Sequence, residues 1–352
     1  MDFQITALPD IKIRLDRMFT ASRVNRDNGS VMPESFKSIA ENQKIDSTPI
    51  MAAGKCQGVK LWWVKPSCGD VACEGDMSMD LCDFDADPTM TLEEQDVEIT
   101  GFCDDKFGIP ADVCEDSNII KFADKYAFEL SEVFKRYENK INKLAIGFLN
   151  ANFDDNDFVS GNMVNTPGTG TIIDPMYWNA ALMANLQQVA MMNRIDMPIL
   201  LNGTNLWTDI WNSQFGKCCG DQGNMTKFES FKNWYWDSFN LDQTLGEKAT
   251  FLWDAGSLAV LNQYYYMSPT PQELTADKHV YHIPHPTLRY RDGNTLKPMM
   301  IDVTRIRKCT TTSKGYADAN YVWHFRMRFE FLTSPVGCGG KIPLFKFLNQ
   351  VV

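Results

Sequence analysis

Along residues 122–148 apolar side chains return every three or four positions: Phe122, Tyr126, Leu130, Val133, Tyr137, Ile141, Leu144 and Phe148. That spacing predicts one amphipathic helix of about seven turns. Ser117 or Asn118 is placed to cap its start. At about twice the usual globular length, such a helix must lie along a large surface. Near the carboxyl end the period changes to two. Tyr321, Trp323, Phe325, Met327, Phe329 and Phe331 alternate with Val322, His324, Arg326, Arg328 and Glu330, the pattern of a long strand with one buried face. Residues 299–307 predict a second strand beside it. Runs at 198–203 and 250–254 read as short buried strands, and residues 175–192 as a helix with Pro175 in its first turn. Residues 256–266 read as helical. No internal repeat interrupts this order.

The amino-terminal 50 residues read as an arm rather than a packed domain. Ile11 to Asp16 alternate like a half-buried strand, and Asn28-Gly29-Ser30 and Pro33 follow as loop formers. Residues 51–64, with Trp62 and Trp63, read as strand. From 66 to 118 the chain is rich in Gly, Pro, Asp and Cys, and it predicts a long hairpin or excursion away from the body. The class expected is α+β.

With 352 residues and 44% hydrophobic content, the chain can bury a sizeable core in one large domain or two to three smaller ones. Its 22% charged content argues against global disorder. The net charge of −11 argues against a broadly basic nucleic-acid-binding surface. That charge is unevenly spread. Between Asp70 and Asp116 sixteen acidic residues face one base, Lys106, a net of −15 that leaves +4 for the remainder. The amino terminus shows no secretory pattern. The longest uncharged stretch, 175–193, contains Asn179, Asn185, Gln187 and Gln188 and is too polar for a membrane span. Synthesis and folding in the cytosol are therefore expected. Free thiols are then the default for the ten cysteines, six of which lie between 56 and 114.

Chemical motifs are sparse. Gly168-Thr169-Gly170 and the glycines from Gly216 to Gly223 match neither phosphate-binding fingerprint. No CxxC pair occurs, and Cys218-Cys219 reads as an ordinary loop pair. His279, His282 and His285 read as surface or interface histidines. Asp83-Phe84-Asp85-Ala86-Asp87 lacks the glycine and glutamate that a calcium loop needs. No nucleophile elbow is present. No residue is assigned a catalytic, cofactor-binding or metal role, and no enzyme is expected.

What is abundant is interface chemistry: 9 Trp, 11 Tyr, 22 Phe and 18 Met. The order of elements (arm, long hairpin, long helix, mixed region, paired strands) includes Pro198-Ile199-Leu200-Leu201-Asn202-Gly203 and the run from Asn240 to Val260. In that order the chain resembles the major capsid proteins of tailed bacteriophages, with the Hong Kong 97-type fold. The resemblance implies an N-terminal arm at 1–50, an E-loop at 51–118, and a P-domain spine helix with its following loop at 119–165. It further implies an A-domain at 166–275, then P-domain strands and a C-terminal return at 276–352. It implies a virion protein, assembled in the host cytoplasm into pentamers and hexamers of an icosahedral shell that encloses double-stranded DNA without sequence-specific binding. The partners implied are further copies of the chain, a separate scaffolding protein, a portal and decoration proteins, with no membrane and no cofactor. Lys60, Lys65 and Lys106 are available for a cross-link, but none matches that chemistry. The assembly residues expected are Trp62, Trp63, Phe84, Lys135, Arg136, Lys140 and Lys143, the last four forming a basic helix edge for an acidic neighbour. The alternatives are a minor capsid, tail or injection-system component, and a metal-dependent enzyme using the Cys, His and Asp groups.

Overall fold

The computed structural model describes residues 32–44, 50–51, 59–64, 92–110, 122–155, 163–178, 180–193, 195–204, 233–237, 240–293, 295–311, 317–334 and 342–350. They form an α+β structure with many strands and few helices. The chain divides into two units. The first comprises Met1–Gln57, Ile99–Ile146 and Val260–Phe331, and the second Gly58–Glu98, Gly147–Ala259 and Leu332–Val352.

The first unit is built on a seven-stranded sheet. Its strands are β1 (Ile50–Met51), β4 (Phe102–Pro110), β10 (Leu258–Tyr264), β11 (Gln272–Thr275), β12 (Lys278–Asp292), β13 (Thr295–Thr311) and β14 (Ala317–Thr333). The order is β1-β10-β14-β13-β12-β11, with β4 also paired to β14. The long alternating run is β14, and Trp323, Phe325, Met327 and Phe329 turn to the buried face as its period requires. Residues 299–307 lie inside β13, antiparallel to β14 with Val303 opposite Phe325. β4 was not expected as a strand: its residues fall inside the excursion read from sequence, yet Phe107 and Ile109 alternate into the core.

The predicted helix, α2, runs Phe122–Asn152, 31 residues and so about 46 Å. Its buried stripe is wider than the sequence reading, with Ala127, Phe134, Ala145, Ile146 and Leu149 joining Leu130, Val133, Tyr137 and Ile141. Aromatic contacts join this stripe to the sheet. Tyr126 lies 5.0 Å from Trp323 and 5.5 Å from Phe107, ring centre to ring centre. The Tyr137 hydroxyl donates to the Phe325 carbonyl at 2.8 Å. The proposed caps at Ser117 and Asn118 lie outside the described residues.

Part of the segment read as an arm packs firmly. In α1 (Glu34–Ala40) Phe36, Ile39 and Ala40 are fully buried. The Phe36 N–H donates to Asn142 Oδ1, and Gln43 bridges the Arg291 carbonyl and the Val260 N–H. Residues 256–266, expected to be helical, instead form a turn at Gly256 (φ +90°) and then β10. Leu258 to Leu261 are all buried, and a run apolar on every side does not distinguish strand from helix by period.

The second unit holds a six-stranded sheet. Its strands are β5 (Met163–Thr166), β6 (Gly170–Ile173), β7 (Pro198–Asn202), β8 (Asn233–Trp236), β9 (Ala249–Asp254) and β15 (Leu344–Asn349). The order is β5-β6-β15-β9-β7-β8, so both predicted short strands, β7 and β9, sit near its middle. A 3-10 turn at Pro175–Tyr177 precedes α3 (Ala180–Met192), whose Leu182, Leu186 and Val189 pack with Trp178, Leu200, Leu252, Phe345 and Phe347. Lys346 is buried there, held by Asn150 Oδ1 at 2.7 Å and Glu247 Oε1 at 2.5 Å. A short helix, α4 (Asn240–Leu245), precedes β9. A separate hairpin pairs β2 (Val59–Val64) with β3 (Leu92–Val97).

Truncating the α2 stripe at Ile141→Ala should cost about 2–5 kcal/mol, read from urea unfolding of the purified chain. Leu130→Asp places a carboxylate in the same stripe and should give no soluble protein on expression.

Candidate assembly surface

The exposed side of α2 carries the cations singled out from sequence. Arg136, Lys140 and Lys143 are exposed at spacings of four and three, which aligns them along one edge, and Lys135 is half-buried beside them. Lys135 pairs with Glu132 at 2.8 Å. Arg136 Nε donates to Asp105 Oδ2 at 2.6 Å, and this hydrogen bond holds the guanidinium above its ordinary pKa. Lys140 and Lys143 form no ion pair among the described residues. Lys140 does lie close enough to Cys103 to favour its thiolate, but burial dominates and pushes that thiol up to about 11. Cys103 is therefore a buried, free, unreactive thiol.

The face of the sheet turned away from the α2 stripe is polar and presents a second cluster. Alternation that buries Trp323, Phe325 and Met327 sends His324, Arg326 and Arg328 the other way. Register then sets Arg326 between Asp104 on β4 and Asp302 on β13, and His324 between Lys106 and Thr304. Arg326 grips Asp104 as a fork, with both N–H···O distances 2.6 Å. Arg328 donates to Asp302 Oδ2 at 3.0 Å while its guanidinium carbon lies 3.6 Å from the Tyr265 ring centre. Asp302 also accepts from the Tyr265 and Tyr266 N–H groups. Burial nevertheless raises its pKa, outweighing those hydrogen bonds and Arg328. The His324 pKa is lowered, first by burial and then by Lys106 and Lys308. These residues line a groove of about 760 Å³.

Of the residues expected at an assembly surface, the four α2 cations fall together on one helix. Trp62 and Trp63 lie in β2 opposite Glu94 and Glu93. Phe84 lies outside the described residues. Two acids of the acidic stretch are neutralised within the chain itself, Asp104 by Arg326 and Asp105 by Arg136. The reading of His279, His282 and His285 as surface or interface histidines is corrected for His282 and His285, both of which are buried within the chain. His282 Nδ1–H donates to the Tyr266 carbonyl at 2.5 Å. Burial has the same cause in both cases, a ring nitrogen that completes the hydrogen bonding of a backbone segment. Sequence reading did not bring in Asp302, Tyr265 and Tyr266. Their signal was the Tyr264-Tyr265-Tyr266 run at the end of a segment assigned the wrong period. Among the described residues no three His, Cys, Asp or Glu side chains are grouped to hold a metal ion. No helix among them is long and apolar enough to cross a membrane.

No protein-family model matches the chain, and no curated protein matches it. Among solved structures the chain is similar to one from Mycobacterium phage Adephagia, at 10% identity over 96% of this chain and 98% of that one, with a TM-score of 0.43. It is similar to the capsid structure of cyanophage P-SCSP1u, at 9% identity over 95% and 94%, TM-score 0.44. It is also similar to the mature capsid of bacteriophage PhiM1, at 8% identity over 93% and 90%, TM-score 0.43.

The two arginines of the sheet face should separate on truncation of their acids. Asp302→Ala leaves a mostly buried guanidinium and two N–H groups without their acceptor, and should cost about 3–5 kcal/mol. Asp104→Ala breaks an exposed pair and should cost about 1 kcal/mol or less. Urea unfolding of both variants checks the contrast, and equal losses would contradict it.

Proposed function

We propose that the chain is a phage capsid subunit that assembles with copies of itself into pentamers and hexamers of an icosahedral shell around double-stranded DNA. Scaffolding, portal and decoration proteins are the further partners of this reading, and its place is the virion, with assembly in the host cytoplasm. The arm at 1–50, E-loop at 51–118, P-domain at 119–165 and 276–352, and A-domain at 166–275 are its parts. No catalytic step is assigned.

The observation that carries the reading is a separation of charge along the chain. From Asp70 to Glu98 there are eleven acids and no base. The exposed edge of α2 carries Arg136, Lys140 and Lys143, and the last two have no ion pair among the described residues. Each copy thus offers a neighbour both an acidic segment and a basic edge, the two unlike patches that a heterologous, ring-forming contact needs. The expected element order, from long helix to paired long strands, supports the same reading. The +4 carried outside residues 70–116 suits an inner wall that encloses DNA without gripping it, because strong phosphate contacts make release costly.

Negative-stain electron microscopy of the purified chain, expressed with and without a scaffolding protein, tests this. Closed shells of pentamers and hexamers are expected, whereas tubes or isolated rings would point to a tail or injection-system component. In Lys140→Glu/Lys143→Glu the subunit should keep its unfolding midpoint within about 2 °C, since both side chains are exposed. Shell yield should fall at least tenfold. Wild-type assembly should weaken as salt rises, and shells forming equally from low to molar salt would remove the charge argument.

A further inference from the structure

We propose that His285 is a proton-sensitive latch that fastens an irregular segment of β12 to α2 at neutral pH and lets it go in acid. The inference concerns the fold of the first unit and stands whether or not the chain forms shells.

The pairing of β12 with β13 shifts register between Pro284 and Arg289. Inside that irregularity His285 is almost completely buried. Its Nδ1 accepts from the Thr287 N–H at 3.2 Å and the Leu288 N–H at 3.0 Å. Two N–H donors aimed at one ring nitrogen require that nitrogen to be unprotonated. The ring's proton therefore sits on Nε2, which points to the Phe134 carbonyl of α2 at 3.4 Å. The ring also packs edge-on against Phe134, 4.9 Å between centres. One turn further along α2, Glu138 Oε1 accepts from the Thr287 hydroxyl. Helix and strand segment are thus joined through a neutral imidazole and a hydroxyl–carboxylate bond.

A second proton, on Nδ1, has the Thr287 hydroxyl oxygen within reach at 3.2 Å, but it would face the Thr287 and Leu288 N–H groups and leave both without an acceptor. A buried donor left unpaired is destabilising, and so is a buried cation. An imidazole takes up its second proton on the acidic side of neutrality. The latch contributes fully at neutral pH and its contribution is lost as pH falls through that range. Glu138 is the carboxylate facing the site from α2, one hydroxyl away. On α1 the charged groups are Glu34 and Lys37, with Glu41 at its C-cap; Lys37 is near both acids and Glu41 is also near Arg291. Across the irregularity β13 presents Pro298, Met299 and Met300, none of which titrates.

Hydrogen exchange of the full chain, read by mass spectrometry on the peptide containing 285–288 at pH 7.5 and 5.5, tests the latch. Rates are corrected for intrinsic chemistry. Wild type should lose at least tenfold of its protection in that peptide between the two values, relative to a β9 peptide. In His285→Asn a side-chain oxygen takes the place of Nδ1 as acceptor without titrating, and protection should change less than twofold. Unchanged wild-type protection, or an equal loss in both proteins, overturns the proposal. Should the variant not fold, nitrogen NMR of histidine-labelled wild type decides. Protonation of His285 Nδ1 above pH 5, together with movement of the Thr287 and Leu288 amide signals, supports the latch. A ring that stays in the Nε2–H form to pH 5 overturns it.

Discussion

A helix of 31 residues with one apolar stripe has to bury that stripe, and in the first unit the sheet provides the surface. Trp323, Phe325 and Phe107 meet Tyr126 and Tyr137 there, and the Tyr137 hydroxyl finds the Phe325 carbonyl. Once this contact is made, much else follows. With period two in the strands, burying one set of side chains sends Asp104, His324, Arg326 and Arg328 to the opposite face. With period 3.6 in the helix, the same contact turns Arg136, Lys140 and Lys143 to solvent. Both charged surfaces are consequences of one packing choice.

Buried polar side chains then fix the pairing, because each has a partner only in one arrangement. Gln43 ties α1 to the ends of β10 and β12. Asn142 receives the Phe36 N–H. Asn262 on β10 reaches both the Met300 and Arg328 carbonyls and accepts from the Met300 N–H. Asp302 anchors the chain leaving β10. In the second unit Lys346 is charged and buried, and its cost is offset by Asn150, Glu247 and the Phe153 ring, 5.2 Å from its nitrogen. Gly170 belongs to the same site. At φ +108° it approaches the Lys346 carbonyl so closely that an added Cβ would lie 2.8 Å from the oxygen.

For a shell-forming role, the distribution of charge matters more than its total. The acidic stretch is not wholly available to a neighbour, since Asp104 and Asp105 are spent on Arg326 and Arg136 of the same chain. In the proposed shell, the charges left for contact between copies would include the run from Asp70 to Glu98 and the two lysines Lys140 and Lys143. Ion pairs at a surface are individually weak and screened by salt. They suit an assembly held by many repeated contacts, in which losing any one subunit is slow.

The sequence by itself determined the elements whose period is long and unambiguous. α2, β13 and β14 lie where the helical spacing or the alternation put them, as does the basic edge of the helix, and the short apolar runs read as buried strands form β7 and β9. Only the tertiary structure decided the rest. β10 was misread because Leu258 to Leu261 are buried on every side, which erases periodicity. β4 was missed because glycine and aspartates interrupt its apolar positions, and its pairing with β14 makes it a strand. Asp302 reaches Arg328, and His285 reaches Phe134 and Thr287, through sheet register and helix packing. Such contacts join residues up to 151 positions apart. Local spacing records which side of an element is apolar; which polar groups meet is settled only when those sides are packed together.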